Sequence, residues 1–244
     1  MFLAMASKLS APILFSLIIF SFSSQCPPAS AYQKVSLALY YDTLCPGCSE
    51  FIVHNLSKIF QNGLIQIVDL RLIPYGNAII LKNGTVVCQH GSKQCGLNTV
   101  EACAINSMPR NEYFEFIYCV ENLIFRRKTS EWVSCLEKTP KQGDFIYDCY
   151  VNGLGQNLKL QYATETDALW PPRDYVPWVT VNEVPLRMDF ENFMKYICKA
   201  YKGSPVPKAC QELPMDIIPT KAKPNTKVCG IDDASPATNI RPRV

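Results

Sequence analysis

The alternation of apolar and polar side chains predicts two strands on either side of a helix near the start of the chain. Every second residue from Val35 to Tyr41 is apolar, as one buried face of a strand requires. From residue 48 to residue 59 the apolar residues recur at helical spacing, and Asn62-Gly63 provides an ordinary helix end. The segment Leu64–Ile73 alternates again. A helix between two strands favours a parallel pair joined by a crossover connection.

The rest of the pattern predicts a hairpin followed by several helices. Asn83-Gly84 is a strong turn signal between two short apolar segments, 78–81 and 85–87. Asn98, with Glu101 three residues later, resembles a capping box that opens a helix. Further helices are predicted around 113–124, 130–137, 145–150 and 158–169, a strand at 175–182 with a partner at 184–188, and a last helix at 189–201.

Residues 1–31 have the features of a secretory signal peptide. Lys8 supplies a positive charge, Ala11–Phe22 is an apolar run, and Ala29-Ser30-Ala31 fits the cleavage rule. A membrane anchor is the alternative, but the run is shorter than the roughly 20 apolar residues that span a bilayer. We therefore expect a mature chain that begins at Tyr32 and follows the secretory pathway, without a membrane segment.

Cysteine content supports that compartment. The 244-residue chain has 12 cysteines, and Cys26 lies in the signal peptide. Eleven remain, so at least one is unpaired or bonded to another molecule; Cys229 is a candidate, either free or linking two chains. Two sequons, at Asn55 and Asn83, are candidate glycosylation sites. The net charge of +3 is too small to indicate nucleic-acid binding.

Candidate chemistry lies in Cys45-Pro46-Gly47-Cys48, between the first strand and the helix. Backbone N–H groups at a helix start stabilise a thiolate and lower its pKa. Pro46 suits the first helical turn because it has no N–H group to leave unpaired. We predict that Cys45 is exposed and attacks a disulfide, and that Cys48, on the apolar face, is shielded and resolves the mixed disulfide. This chemistry needs no cofactor and no metal.

Other interpretations of the motif remain open. A zinc site would usually have a second CxxC or a histidine pair, and His54 and His90 lie far apart in the sequence. A structural Cys45–Cys48 disulfide would close a very short loop and would stabilise the fold little. A turn without chemistry is disfavoured by the strand before it and the helix after it.

A spaced pattern between residues 88 and 103 resembles the signature C-Q-H-G-x-x-E-C-x-x-N-x-x-x-x-C of the gamma-interferon-inducible lysosomal thiol reductases. Its matching residues are Cys88, Gln89, His90, Gly91, Cys95, Asn98 and Cys103. Gln94 stands where the family has an acidic residue. The likeness extends from about Val35 to Cys210 and includes Gln161-Tyr162-Ala163 and residues 175–182.

The resemblance implies an α/β thioredoxin-like fold with an inserted helical segment stapled by disulfides. The expected divisions are a first part at 32–87, a cysteine-rich insertion at 88–157, a second part at 158–210 and a flexible tail at 211–244, whose removal is left open. Val176-Pro177 is expected to be a cis peptide that faces the CxxC and positions the substrate. The signature cysteines are expected to be structural. His90 is expected to be packed or hydrogen-bonded rather than catalytic.

The resemblance also implies reduction of disulfides in protein substrates at acidic pH, in lysosomes or vacuoles, with secretion as a further destination. The expected partners are disulfide-containing proteins and a small-thiol reductant. Two alternatives remain: a lumenal oxidase or isomerase that uses the same cysteines, and a disulfide-rich binding protein without catalysis. Spacing alone does not fix the redox direction. A local Cys198–Cys210 bridge is plausible; the substrates and the oligomeric state stay open.

Overall fold

The structure is a computed structural model, and it describes residues 33–138, 140–214 and 227–231. The predicted signal peptide and most of the predicted tail lie outside these residues. In chain order the strands are β1 Val35–Tyr41, β2 Val68–Pro74, β3 Ile79–Ile80, β4 Val86–Val87, β5 Tyr175–Val176, β6 Trp178–Val181, β7 Val184–Pro185 and β8 Cys229–Gly230. The helices are α1 Pro46–Phe51, α2 Lys58–Gln61, α3 Ser92–Ser107, α4 Arg110–Phe125, α5 Ser134–Glu137, α6 Pro140–Val151, α7 Leu154–Asp167, α8 Phe193–Ala200 and α9 Lys208–Glu212.

A four-stranded sheet with the order β2-β1-β6-β7 forms the centre of the fold. The strands β1 and β2 are parallel, with Leu37 opposite Leu70, which confirms the predicted strand–helix–strand unit. Strand β6 pairs with β1 in the antiparallel sense, and β7 completes a hairpin with β6. Both faces of β1 are covered, because nearly all its residues are buried. The sheet thus gives the loop after β1 a rigid base.

The connection between β1 and β2 is helical throughout but is not one regular helix. A π-helical turn, Ile52–Leu56, joins α1 to α2, and the Ser57 N–H donates to the Ile52 carbonyl at 3.2 Å. The predicted second strand starts late, because residues 64–67 form a 3₁₀ turn. The turn follows Gly63, whose φ is +80°, and the Asn62 side chain accepts the Leu64 N–H at 3.1 Å.

Helices α3 to α6 fill the region in which the insertion is predicted. A Cys103–Cys149 disulfide joins α3 to α6, and Cys119–Cys135 joins α4 to α5. The capping-box interpretation is wrong, because α3 already begins at Ser92 and Asn98 lies inside it. The boundaries of the inserted segment stay a prediction.

The predicted strand at 175–182 is interrupted at Pro177, which has no N–H group to donate to a ladder. Its first part, β5, pairs with β8, while its second part, β6, belongs to the central sheet. The local Cys198–Cys210 disulfide is confirmed. Within the described ranges, the helices are too short or too polar to cross a membrane.

Candidate active site

Cys45 lies at the point where the chain leaves β1 and its following loop and enters α1. It has extended backbone angles, φ −78° and ψ 119°, and Pro46 occupies the first helical position. The Cys45 carbonyl accepts the Ser49 N–H at 3.1 Å, which closes the first turn. The Cys45 side chain therefore projects from a helix start, as a nucleophilic cysteine requires.

Cys45 forms a disulfide with Cys229 across a sequence separation of 184 residues. The prediction that Cys45 is exposed is wrong for this state: its side chain is fully buried because residues 227–231 lie over it. Cys48 is also fully buried and is the free cysteine among those that the structure describes. Cys229 is thus neither free nor a link between two chains here.

The segment 227–231, which we call the docked segment, crosses the site in an extended conformation. Cys229 lies opposite Val176 in the antiparallel β5–β8 pair. The Lys227 carbonyl passes so close to Gly47 that a Cβ atom there would lie 2.1 Å from its oxygen. The docked segment therefore fits against the main chain of the CxxC motif itself.

Two side-chain amides hold the docked segment on the C-terminal side of Cys229. Asn77 Nδ2 donates to the Cys229 carbonyl at 2.9 Å, and Gln89 Nε2 donates to the Gly230 carbonyl at 2.7 Å. Asn77 Nδ2 also donates to Gln89 Oε1 at 2.9 Å, so the two amides form one network.

Val176 and Pro177 lie beside Cys45. The Val176–Pro177 peptide bond is cis. The Val176 carbonyl oxygen is 3.7 Å from Cys45 Sγ. The two residues therefore stand where the resemblance expects substrate-positioning residues, and that role stays a prediction.

A buried hydrogen-bond network fixes the loop that leads into Cys45. Asn98 Oδ1 accepts the Thr43 N–H at 3.1 Å, and Asn98 Nδ2 donates to Asp42 Oδ1 at 3.2 Å. Asp42 Oδ2 in turn accepts the Asn77 N–H at 2.9 Å. Signature residue Asn98 thus connects the loop before the CxxC to the loop that carries Asn77.

Three buried carboxyl groups lie near enough to the Cys48 thiol to affect its pKa. Burial raises the pKa of Cys48 well above its ordinary value, and the nearby Asp42, Glu121 and Glu101 carboxyls raise it further, against a hydrogen bond from the Asp42 backbone that lowers it. Burial also raises the pKa of Glu101 to about 8, and that of Glu121 well above its ordinary value, with the adjacent Glu101 adding to the shift. Glu101, beneath the CxxC motif, is therefore protonated at acidic pH.

The other signature residues belong to the segment that carries Gln89 and to helix α3, which follows it. Cys88 and Cys95 form a disulfide, and Cys103 bonds Cys149. Gly91, with a φ of +81°, directly precedes α3. The His90 N–H donates to Gln94 Oε1 at 2.6 Å, and His90 Nδ1 lies 3.0 Å from the same oxygen.

The two sequons differ in their surroundings. Asn83 is exposed in the turn between β3 and β4. Asn55 is half-buried in the π-helical turn, and the Ser57 hydroxyl of its sequon donates to the Val53 carbonyl at 2.7 Å. In the part of the chain that the structure describes, no three His, Cys, Asp or Glu side chains gather as a metal site would require.

Comparison with known proteins decides the family. A sequence profile described as "Gamma interferon inducible lysosomal thiol reductase (GILT)" matches residues 36–139. The chain is 46% identical over 182 residues to "Gamma-interferon-responsive lysosomal thiol protein" of Arabidopsis thaliana, covering 72% of this chain and 76% of that protein. It is 35% identical over 191 residues to "Gamma-interferon-inducible lysosomal thiol reductase" of Mus musculus, covering 76% and 75%. The chain belongs to the GILT family.

Membership in the GILT family makes the chain a thiol–disulfide oxidoreductase. The fold agrees: the crystal structure of Chlamydia trachomatis DsbA is similar to this GILT-family chain, with a TM-score of 0.50 and 13% identity over 69% of this chain and 87% of that one. The predicted thioredoxin-like fold class is thereby confirmed.

Sequence reasoning missed two parts of this site. Asn77 is a single asparagine in a loop and belongs to no recognisable motif. The odd number of cysteines makes Cys229 a candidate, but the sequence does not identify its partner, because pairing across 184 residues depends on the fold.

Proposed function

We propose that this chain reduces disulfides of protein substrates in an acidic lumenal compartment, with Cys45 as the attacking cysteine and Cys48 as the resolving one. The observation that carries the proposal is the Cys45–Cys229 disulfide beside a free Cys48. Cys229 belongs to an extended segment, as a cysteine of a bound polypeptide would. The arrangement is that of a mixed disulfide held before its resolution.

The reaction consists of two exchanges of a thiolate with a disulfide. In the first, the Cys45 thiolate attacks one sulfur of the substrate disulfide, a Cys45–substrate bond forms, and the other substrate sulfur leaves as a thiolate that takes a proton. In the second, Cys48 loses its proton and attacks Cys45 Sγ, which releases the second substrate thiolate. The substrate gains two electrons and two protons, and the enzyme is left with a Cys45–Cys48 disulfide.

A small thiol would return the enzyme to its reduced form. Two such thiols give up two electrons and two protons and leave as their own disulfide, in the reverse order of exchanges.

Acidic conditions suit both the fold and the buried part of the site. Glu101 and Glu121 are fully buried, and each is less costly to bury in its protonated form. The raised pKa of Glu101, about 8, means that this form prevails at the pH of a lysosome or vacuole. The names of the relatives, which include the word lysosomal, support the same compartment.

An ordinary thiol is almost fully protonated in such a compartment, so Cys45 must be an unusual one. We propose that backbone N–H groups at the start of α1 lower the pKa of the reduced Cys45 thiol. Titration of thiolate absorbance in reduced protein tests this. A Cys45 pKa near the ordinary value would contradict catalysis at acidic pH.

The deciding experiment is the reduction of insulin disulfides with a small-thiol donor at acidic and neutral pH. We expect activity at acidic pH in the native protein and none in Cys45→Ser. In a chain that also carries Cys229→Ser, so that Cys229 cannot displace the substrate, Cys48→Ser is expected to accumulate a covalent enzyme–insulin species, because the second exchange is blocked. Activity that survives in Cys45→Ser would contradict the assignment of the nucleophile, and a folded, reduced enzyme without activity would favour a binding protein.

A further inference from the structure

Asn77 and Gln89 present a pair of N–H donors beside Cys45 that no step of thiol exchange uses. We infer that these two amides bind the main chain of the substrate on the C-terminal side of its attacked cysteine. The inference rests on the proposed function, since it takes the docked segment as a stand-in for the substrate polypeptide.

The contacts of the docked segment are made by its main chain. Asn77 reaches the carbonyl of Cys229, and Gln89 reaches the carbonyl of the following residue, Gly230. A glycine has no side chain to recognise, so the second contact can be offered by any residue type. Recognition of this kind would admit many protein substrates as long as the chain around the cysteine is extended.

The donors are held in place from within the enzyme. The main-chain N–H of Asn77 donates a hydrogen bond to Oδ2 of the buried Asp42. One hydrogen of Asn77 Nδ2 is donated to Gln89 Oε1. Because the Gln89 oxygen accepts from Asn77, the Gln89 NH₂ group must point toward the docked segment. Both remaining donors therefore face the docked segment.

The far side of the groove offers complementary features. The pairing of Val176 with Cys229 aligns the segment as a strand, and Gly47 leaves room for the preceding main chain at Lys227. The Ile231 N–H donates to the Asp174 carbonyl at 3.2 Å, so main-chain hydrogen bonding continues one residue past the end of β8 at Gly230. A substrate would thus be bound along its main chain over about the five residues that the docked segment spans.

A pair of probes separates main-chain binding from thiol chemistry. The first is the peptide acetyl-Val-Cys-Gly-Ile-amide, activated as its 2-pyridyl disulfide, which copies residues 228–231. The second is N-acetylcysteamine activated in the same way, which lacks both carbonyl acceptors. The Cys45 thiolate attacks the cysteine or cysteamine sulfur, and pyridine-2-thione leaves with the electron pair of the broken bond. All measurements use full-length protein with Cys229→Ser, so that the tail cannot block Cys45 covalently.

The first variant is Gln89→Glu, which keeps the shape and the acceptor for Asn77 but removes the donor at neutral pH. In a single turnover of the reduced protein, we expect the second-order rate constant for pyridine-2-thione release from the peptide probe to fall about tenfold, as for loss of one hydrogen bond, with the rate constant for the N-acetylcysteamine probe unchanged. Below about pH 4.3 the introduced carboxyl is protonated and donates again, so the defect should shrink. Gln66→Glu, the same change at an exposed position, is the matched control.

The outcomes are distinguishable. If Gln89→Glu slows both probes equally, or neither, the inferred main-chain site is wrong while the exchange chemistry stands. If the protein with Cys229→Ser reacts with neither probe, the proposed function fails instead. Should Gln89→Glu not fold, the protein with Cys229→Ser alone still decides the matter: equal single-turnover rate constants for the two probes would overturn the inference.

Discussion

The Tyr41 hydroxyl donates a hydrogen bond to the Glu101 carboxyl across 2.5 Å, and both side chains are fully buried. Strand β1 and helix α3 are thereby joined by a polar contact beneath the redox motif. Glu121 belongs to the same cluster. Its carboxyl helps to raise the pKa of Tyr41 and of Cys48, and the Glu101 carboxyl helps to raise the pKa of Glu121. A cluster of this kind makes the stability of the fold depend on pH.

We predict that the free energy of unfolding falls as the pH rises from about 5 to about 8. Burial raises the pKa of Glu101 from 4.5 to about 8 in the folded protein. Between these values the folded state holds more protons than the unfolded state, so stability is full below the lower value and is lost as the pH passes the higher one. A decrease of roughly 2–4 kcal/mol is expected from one such group.

Urea unfolding across this pH range measures the effect. Glu101→Gln should reduce the slope by the part that Glu101 contributes, because a neutral amide has no proton to lose, whereas the buried Glu121 keeps its own contribution. Glu115→Gln removes a carboxyl from an exposed position of α4 and should leave the slope as it is. A native protein that is equally stable at both ends of the range would contradict the proposed protonation of Glu101.

Much of the fold follows from local patterns, and the site follows only in part. The period of two in β1 and the helical period after Cys48 are local, and both elements appear where they are predicted. The capping-box pattern gives the wrong role for Asn98 because that pattern is also local, whereas the contacts of Asn98 are with Asp42 and Thr43, more than 50 residues earlier. The roles of Asn77 and Cys229 depend on distant partners and leave no periodic trace in the sequence.

Removal of Cys229 is predicted to activate the oxidised protein. In the native chain Cys45 is covalently blocked, so activity should develop only after reductant opens the Cys45–Cys229 bond. Cys229→Ser should remove this lag in insulin reduction and leave the final rate unchanged. Mass spectrometry of unreduced peptides gives the pairing directly. A lag of the same length in both proteins would show that the tail does not limit Cys45.

Gly47→Ala is predicted to disfavour the Cys45–Cys229 disulfide without weakening α1. An added Cβ would lie 2.1 Å from the Lys227 carbonyl oxygen, so the docked segment must shift. The substitution should not destabilise helix α1 itself, because alanine has a higher helix propensity than glycine. At a fixed ratio of reduced to oxidised glutathione, we expect the fraction of chains with this bond to fall severalfold.

The matched control for that experiment is Gly143→Ala in α6, where the nearest neighbour of an added Cβ is 3.9 Å away. It should leave the Cys45–Cys229 fraction unchanged. If Gly47→Ala also leaves it unchanged, the close approach of the Lys227 main chain does not exist in solution.

Asn98→Ala is predicted to destabilise the fold and to loosen the loop before Cys45. The substitution leaves the Thr43 N–H and Asp42 Oδ1 without the partners that Asn98 provides, in a fully buried environment. Two such losses correspond to roughly 2–4 kcal/mol of unfolding free energy. Asn157→Ala, at an exposed position of α7, should change stability by less than about 0.5 kcal/mol.

The same variant separates the structural contribution of Asn98 from its effect on the site. Under conditions in which Asn98→Ala is still fully folded, the rate of alkylation of reduced Cys45 should differ from that of the native protein, because Asp42-Thr43-Leu44 sets the direction in which the chain enters α1. Unchanged alkylation together with reduced stability would assign Asn98 to the core alone. Unchanged stability would mean that the hydrogen bonds of Asn98 to Asp42 and Thr43 do not hold the loop at all.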